Sequence, residues 1–204
     1  MTNIYLARHG QNEDNVNGIL NGHRDLPLTE LGREQARTTA AHIRDNKLSF
    51  DHIYCSPLSR AKETAEIICH ELGWPEPIIH KGIIERDFGS MSGKPVASIV
   101  ELCAPDIIQT DTITYFLSPD GAETFPELIA RAQTVLDELR AQKSDSILLV
   151  THGDFGKMLY AAYYDLDWQT VLTDFHFGNC ELLLLSPDSP ADQAHVFEQD
   201  QHNH

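Results

Sequence analysis

The 204 residues hold 15 lysines and arginines against 31 aspartates and glutamates, a formal net charge of −16. So acidic a chain repels nucleic acid and anionic membranes, which excludes polyanionic partners as the first expectation; any anion site must concentrate positive charge locally against the global field. With 41% hydrophobic and 23% charged residues, the composition is that of a folded globular protein, and the length suits a single domain over residues 1–204.

In chain order, the opening MTNIYLARHG has no basic segment and no long apolar run of a secretion signal. Residues 3–7 read as a first strand. Thr29 is expected to start a helix carrying Leu31, Ala40 and Ile43 on its apolar side. Residues 52–55 form a second strand. Ser56 and Pro57 then read as N-cap and first residue of a helix, with Leu58, Ala61, Ala65, Ile68 and Leu72 recurring at helical spacing and Gly73 and Pro75 ending it. Residues 78–80 give a third strand. The stretch 94–120 is the least regular and is expected to lie over one end of the sheet. Thr124 and Glu127 form a capping box ahead of Leu128, Ala132, Val135 and Leu139. SILLV at 146–150 is apolar throughout, as a parallel strand buried on both faces requires. Gly153 opens a helix with Phe155, Met158, Leu159 and Ala162 on its buried side, and 181–186 is the last major strand. After Pro190 the chain is polar and is expected to fray, apart from a short strand near 195–198. Strands alternating with helices predict an α/β fold, with helices on both faces of a mostly parallel sheet.

Cys55, Cys69, Cys103 and Cys180 include no C-x-x-C pair, so neither a thiolate metal site nor a redox motif is expected. They read as small buried apolar residues. No apolar run is long enough to span a bilayer. The expectation is a reduced compartment, most simply the cytoplasm, with no membrane and no nucleic-acid partner.

The chemistry concentrates at strand ends. Arg8, His9 and Gly10 follow the first strand; Thr151, His152 and Gly153 follow SILLV. In open α/β sheets ligands bind outside the carboxyl ends of the strands, so the two His-Gly pairs can converge in one crevice. Arg60, on the first turn of the helix after the second strand, can reach the same end. Helix-start N–H groups would add to the positive field. Two arginines and two histidines suit a phosphoryl group: guanidinium forks match its oxygens, and a neutral imidazole is a nucleophile near neutral pH. Glu85, a strand-end acid followed by a glycine-containing loop, is the best candidate to protonate a departing oxygen, with Asp87 and Glu123 as competitors. Glu123 is expected instead to cap or orient a pocket arginine. Taken singly, each residue has a bland reading: Arg8 as a surface ion-pair partner, Arg60 paired with Glu63, His9 and His152 as hydrogen-bonded core histidines.

Their order along the chain resembles the histidine phosphatase superfamily, the phosphoglycerate mutase-like family. The resemblance rests on Arg8-His9-Gly10 with Asn15, GHRDLPLTELGREQA at 22–36, CSPLSRAKETA at 55–65, IIERDFGSMSG at 83–93, GAET at 121–124, VTHG at 150–153 and GNCE at 178–181. It spans residues 3–185 and implies a three-layer α/β/α sandwich of the phosphoglycerate mutase-like type. It implies His9 as the phosphorylated nucleophile, Arg8, Arg60 and His152 as the phosphate pocket with Asn15 beside it, and Glu85 as proton donor, without metal or cofactor. Asn12, Gly153 and Arg24 are further expected to meet substrate. Two positions depart from the family pattern: Asn12 replaces threonine or serine, and Ser92 replaces a common glutamate.

The expected activity is hydrolysis of a small phosphomonoester through phosphohistidine. The alternatives are a cofactor-dependent phosphoglycerate mutase and a catalytically weak phospho-ligand-binding protein. Residues 94–120 favour the hydrolase. They hold one basic residue, Lys94, against Glu101, Asp106, Asp111 and Asp120, alongside Ile107, Ile108, Ile113, Tyr115, Phe116 and Leu117. Such a cover repels a bisphosphate. Arg24 and Arg86, near the expected mouth, favour the mutase. The 11 histidines are scattered rather than set at metal-ligand spacings, so no metal is expected.

Overall fold

The computed structural model describes residues 2–201. Six strands form the central sheet: β1 (Asn3–Arg8), β2 (His52–Cys55), β3 (Ile78–Ile79), β6 (Ser146–Thr151), β7 (Leu182–Leu185) and β8 (His195–Phe197), in the order β3-β2-β6-β1-β7-β8. β1, β6, β2 and β3 are parallel, while β7 runs antiparallel to β1 and β8 antiparallel to β7. A separate hairpin joins β4 (Ile107–Gln109) to β5 (Thr114–Phe116). The helices are α1 (Glu13–Asn17), α2 (Glu30–Asp45), α3 (Ser59–Leu72), α4 (Ile99–Cys103), α5 (Phe125–Ala141), α6 (Gly153–Tyr164) and α7 (Trp168–Asp174). No helix among the described residues is long and apolar enough to cross a membrane.

Strand alternation builds the three layers. Ile4, Leu6, Ile147 and Leu149 point into one apolar cluster with α5, α6 and α7; Ala7, Leu148 and Val150 point into the other with α2 and α3. A period of two therefore gives each central strand two buried faces. On α5 the expected capping box is present, Thr124 accepting from the Glu127 N–H. Such a cap is worth about 1 kcal/mol. Leu128, Leu136 and Leu139 are wholly buried on the same helix, and each contributes about 1.5–3 kcal/mol. Packing, more than capping, holds α5 in place.

Several expectations are corrected. α3 starts at Ser59 with Leu58 at its N-cap, not at Ser56. Leu31 is 37% exposed, because α2 turns Gly32, Ala36, Ala40 and Ile43 inward instead. Gly32 is forced by close approach: a Cβ there would lie 2.1 Å from the Gln11 carbonyl oxygen, and one on Gly10 would lie 2.3 Å from that of Gly32. After Pro190 the chain forms β8 and makes further contacts up to residue 201. Beyond β8, the Gln199 amide donates to the carbonyl oxygens of Gln35 and Cys180, and the Gln201 amide oxygen accepts from the Asn179 N–H. Residues 202–204 of the expected polar tail lie outside the described residues. The stretch 94–120 has structure of its own, and its Val96, Ile113 and Tyr115 line the same cleft as Arg8 and His9. There α4, β4 and β5 pack Ile99, Phe116, Cys103 and Ile107 against Phe88, Met91 and Leu20.

Candidate active site

The β1–β6 register pairs Arg8 with Thr151, so the residues after the two strands emerge side by side. His9 and His152 place their ring centroids 5.2 Å apart. The loop carrying His9 is fixed from three sides: the His9 N–H donates to the Thr151 carbonyl, the Asn179 amide donates to the His9 carbonyl at 2.8 Å, and the Gly10 N–H donates to the Thr64 hydroxyl. His9 Nδ1 lies 2.7 Å from the Gly10 carbonyl oxygen. A carbonyl only accepts, so Nδ1 carries the proton and Nε2 the lone pair. Arg60 Nε donates to that Nε2 at 3.2 Å.

The two guanidinium groups are held by neutral acceptors. Arg60, wholly buried, donates to the carbonyl oxygens of Arg24 at 2.7 Å and Gly22 at 2.9 Å. Arg8 donates to the Phe177 carbonyl at 2.8 Å. Arg8 Nε and His152 Nδ1 are buried polar atoms with no protein partner among the described residues. Burial pushes Arg60 down to about 10, which leaves it charged at neutral pH. Burial, then Arg60 and Arg8, holds His9 well below the usual histidine range. Burial and Arg60 do the same to His152. Both rings are therefore neutral between two cations.

Ser56 explains how His152 is aimed. Its hydroxyl lies 2.7 Å from His152 Nε2 and accepts, more weakly, from the Leu58 N–H at 3.3 Å. A donating Ser56 hydroxyl makes Nε2 the acceptor and leaves Nδ1–H, the orphaned atom, as a donor. Ser56 thus orients a histidine instead of capping α3.

Glu85 is buried against the start of α6. Its Oε1 accepts from the N–H groups of Arg86 at 2.9 Å and Phe155 at 3.0 Å, and Oε2 only from Asp154 N–H at 3.3 Å. The α6 N–H groups expected to serve an anion are thus used by this carboxylate. Burial, then the nearby Asp154, raises Glu85 above the usual carboxylate range, against the opposing pull of those N–H groups and Arg60. The less-bonded Oε2 is the natural seat of the proton.

These groups line a cleft of about 190 Å³. Of the residues singled out from sequence, Arg8, His9, Asn15, Arg60, Glu85 and Gly153 line it, with His152 buried against His9. Asn12 and Arg24 are not brought into the lining. Asn12 is buried as the N-cap of α1 and donates to Asn21 Oδ1 at 2.7 Å. Arg24 turns its guanidinium to Asp14, at 2.8 Å, and contributes only the carbonyl that holds Arg60. Arg86 is not at the mouth either: it is 1% exposed, paired with Asp154 at 2.8 Å and stacked on Phe116 and Phe125. Glu123 grips Arg131 at 2.7 Å, and Arg131 donates to the carbonyl oxygens of Gly82, Ile84 and Glu85. The arginine it orients shapes the Glu85 segment, not the pocket. Asp87, the other competing acid, faces His23 instead. Ser92 follows a 3-10 turn and donates its N–H to the Gly89 carbonyl. Nothing in the structure explains its departure from the family pattern.

Sequence reasoning missed Ser56, Tyr115, Lys157 and His176. Tyr115, Lys157 and His176 line the cleft. Lys157 had a signal: it lies one helical turn beyond Gly153, on the face of α6 that starts against Arg8. Among the described residues no group of three or more His, Cys, Asp or Glu side chains is arranged to hold a metal ion.

The sequence matches the histidine phosphatase superfamily (branch 1) over residues 4–199. It is 31% identical, over 82% of this chain and 83% of the other, to a 2,3-bisphosphoglycerate-dependent phosphoglycerate mutase of Methylobacterium sp. (strain 4-46). The fold is similar to a mycobacterial glucosyl-3-phosphoglycerate phosphatase in complex with VO3, with a TM-score of 0.77 at 26% identity over 91% of this chain and 93% of that one. It is also similar to the alpha-ribazole phosphatase of Shigella flexneri, with a TM-score of 0.74 at 25% identity over 90% and 89%. The chain belongs to the histidine phosphatase superfamily, branch 1.

Proposed function

We propose that the protein is a metal-independent phosphomonoester phosphatase working through a phosphohistidine on His9. One observation carries the reading: a neutral His9 with its Nε2 lone pair directed at a buried, charged Arg60, beside the orphaned donors Arg8 Nε and His152 Nδ1. That is a nucleophile set beside donors able to meet phosphoryl oxygens.

In the first step His9 Nε2 attacks phosphorus and the P–O bond to the alcohol breaks. Arg60 Nε releases Nε2 and follows the phosphoryl oxygens, joined by Arg8 and the His152 Nδ1–H. The leaving oxygen takes its proton from Glu85 Oε2. In the second step Glu85, now a carboxylate, takes a proton from water as that water attacks phosphorus; phosphate leaves and His9 returns neutral. Two roles for one carboxyl need a raised pKa, which burial supplies.

The curated relatives favour a second reading, that of the mutase. A mutase must hold a second phosphate and exclude water. The residues of 94–120 that line the cleft are Val96, Ile113 and Tyr115, with no cation among them. That supports hydrolysis of a small monoester, the class of substrate named for the two structural neighbours. A phosphomonoester panel scored for free phosphate tests this, run beside conversion of 3-phosphoglycerate to 2-phosphoglycerate primed with 2,3-bisphosphoglycerate. The alkali-stable phosphate should sit on His9 and be absent from His9→Ala. Isomerisation faster than phosphate release makes the mutase reading correct.

A further inference from the structure

The mechanism leaves one buried carboxylate unused. Glu181 is 4% exposed and closes the turn between α7 and β7. That turn carries three supports of the catalytic strand end. The Phe177 carbonyl accepts from the Arg8 guanidinium at 2.8 Å, the Asn179 amide donates to the His9 carbonyl at 2.8 Å, and the Cys180 N–H donates to the Arg8 carbonyl at 3.0 Å. The turn is not relaxed: Cys180 has φ +56°, a left-handed conformation that a non-glycine residue keeps only where its surroundings hold it. Glu181 supplies the hold. Its Oε2 accepts from the Gly178 N–H at 2.6 Å, and His195 Nε2, on β8, lies 3.7 Å from that oxygen while donating to the His176 carbonyl at 3.0 Å. The Gln201 amide donates to Glu181 Oε1 at 3.4 Å and to the Asn179 carbonyl at 3.3 Å, and accepts from the Asn179 N–H at 2.9 Å. A Cβ on Gly178 would lie 2.6 Å from Glu181 Oε1 and 2.5 Å from the Gln201 amide, so glycine is what lets both side chains close over that backbone.

Burying a carboxylate is costly, and this one is not spent on the pocket cations. Its ion-pair partner among the described residues is His195. Burial raises Glu181, but His195, the Gly178 N–H and His176 outweigh it and hold it below the usual carboxylate range. Glu181 does not line the cleft, whereas His176 and Phe177 of its turn do. Resting on the phosphatase reading above, we propose that Glu181 is a positioning residue for phosphoryl transfer: with Gln201 it locks the 176–180 turn, and the turn aims the Arg8 guanidinium and seats His9. With the lock broken, the Phe177 carbonyl and the Asn179 amide shift, and Arg8 and His9 leave the in-line arrangement with phosphorus. A misplacement of about 1 Å costs about 10²-fold in rate.

The test compares the full chain with its Glu181→Gln variant. Both carboxylate oxygens face donors, Gly178 N–H on one side and the Gln201 amide on the other. An amide has one oxygen, so one of the two contacts fails whichever way it is turned, at unchanged side-chain size. Two inhibitors separate positioning from mere support. Vanadate mimics the five-coordinate transition state with His9 Nε2 as a ligand, and so needs Arg8 and His9 aligned; inorganic phosphate needs only the positive charge. In Glu181→Gln, single-turnover phosphorylation of His9 by nitrophenyl phosphate should slow by about tenfold or more. The vanadate inhibition constant should rise by about the same factor while that of phosphate changes less than about threefold. An alkyl phosphate should lose as much as nitrophenyl phosphate, because Glu85 is held by the start of α6 and not by this turn. An unchanged rate and vanadate constant in folded Glu181→Gln, or equal losses for vanadate and phosphate, overturn the proposal. If Glu181→Gln does not fold, Gln201→Ala replaces it by removing the outer half of the lock; the same split is expected, and its absence overturns the proposal. A wild-type protein that neither releases phosphate from monoesters nor binds vanadate overturns the phosphatase reading itself, and this proposal with it.

Discussion

Glu85→Gln separates proton donation from pocket shape. In the glutamine variant the amide oxygen can take the Oε1 place and keep the N–H bonds from Arg86 and Phe155. The amide NH2 then falls at Oε2, where only a 3.3 Å contact from the Asp154 N–H is lost. The swap costs one weak hydrogen bond, about 1 kcal/mol, so the protein stays folded. What disappears is the transferable proton. General acid assistance is worth about 10²- to 10⁴-fold. An alkoxide needs that help to leave phosphorus and a nitrophenolate does not. Phosphorylation of His9 by an alkyl phosphate, followed in a single turnover, should therefore slow by about that range; the same step with nitrophenyl phosphate should slow much less. Single turnovers are required because, in the proposed mechanism, water attack on the phosphohistidine also uses Glu85. The pH profile gives an independent reading. Glu85 is raised above its ordinary value and must be protonated, so it sets an alkaline limb in kcat/KM for the alkyl ester. His9 is depressed and must be neutral, so the acid limb lies below the usual histidine range. The alkaline limb should vanish in Glu85→Gln. Equal losses on both substrates, with the limb retained, would refute a proton-donating Glu85.

Ser56→Ala leaves His152 Nε2 buried without its 2.7 Å partner; kcat/KM should fall about tenfold, the worth of one buried orienting hydrogen bond. The loss should be non-additive with His152→Ala, and additive losses would show that Ser56 acts elsewhere. Arg86→Met strips a mostly buried Asp154 of its 2.8 Å partner and should destabilise the fold by about 3–5 kcal/mol, read as a lower urea midpoint at unchanged slope; an unshifted midpoint would contradict the pairing. Chelators should leave phosphate release unchanged, since in the proposed mechanism the guanidinium groups of Arg8 and Arg60 supply the electrostatic stabilisation. Loss in EDTA reversed by zinc or magnesium would place a metal in the reaction.

The fold was largely legible because its signals are local. The run Ile147–Val150 is apolar, and the structure buries residues 147–151 on both faces; the Thr124 box starts α5 and the αL Gly73 stops α3 as read. Short elements were not legible. α1, α7 and the β4–β5 hairpin are 3 to 7 residues long, too short for a period to show, and they are held by tertiary contacts such as Trp168 stacking on Phe125. The N-cap expected at Ser56 fails for a related reason. Its N-cap signature is local, whereas its partner His152 is 96 residues away. The Gln199 and Gln201 contacts were hidden by the same distance, since polar residues near a terminus carry no periodic signal at all.

The arginines show what a sequence cannot separate and a structure can. The chain has nine. Seven of them, Arg24, Arg33, Arg37, Arg44, Arg86, Arg131 and Arg140, form ion pairs with carboxylates. Arg8 and Arg60 form none among the described residues; their guanidinium groups are held by backbone carbonyl oxygens and by the His9 ring. A carbonyl fixes a guanidinium without neutralising it, so the full charge remains to be met from the cleft. In a chain of net charge −16, a cation stays available to substrate only where the fold keeps acids out of reach. Arg24 and Arg86 looked as promising as Arg8 in sequence. They are disqualified by Asp14 and Asp154, each far along the chain or hidden in a helix start.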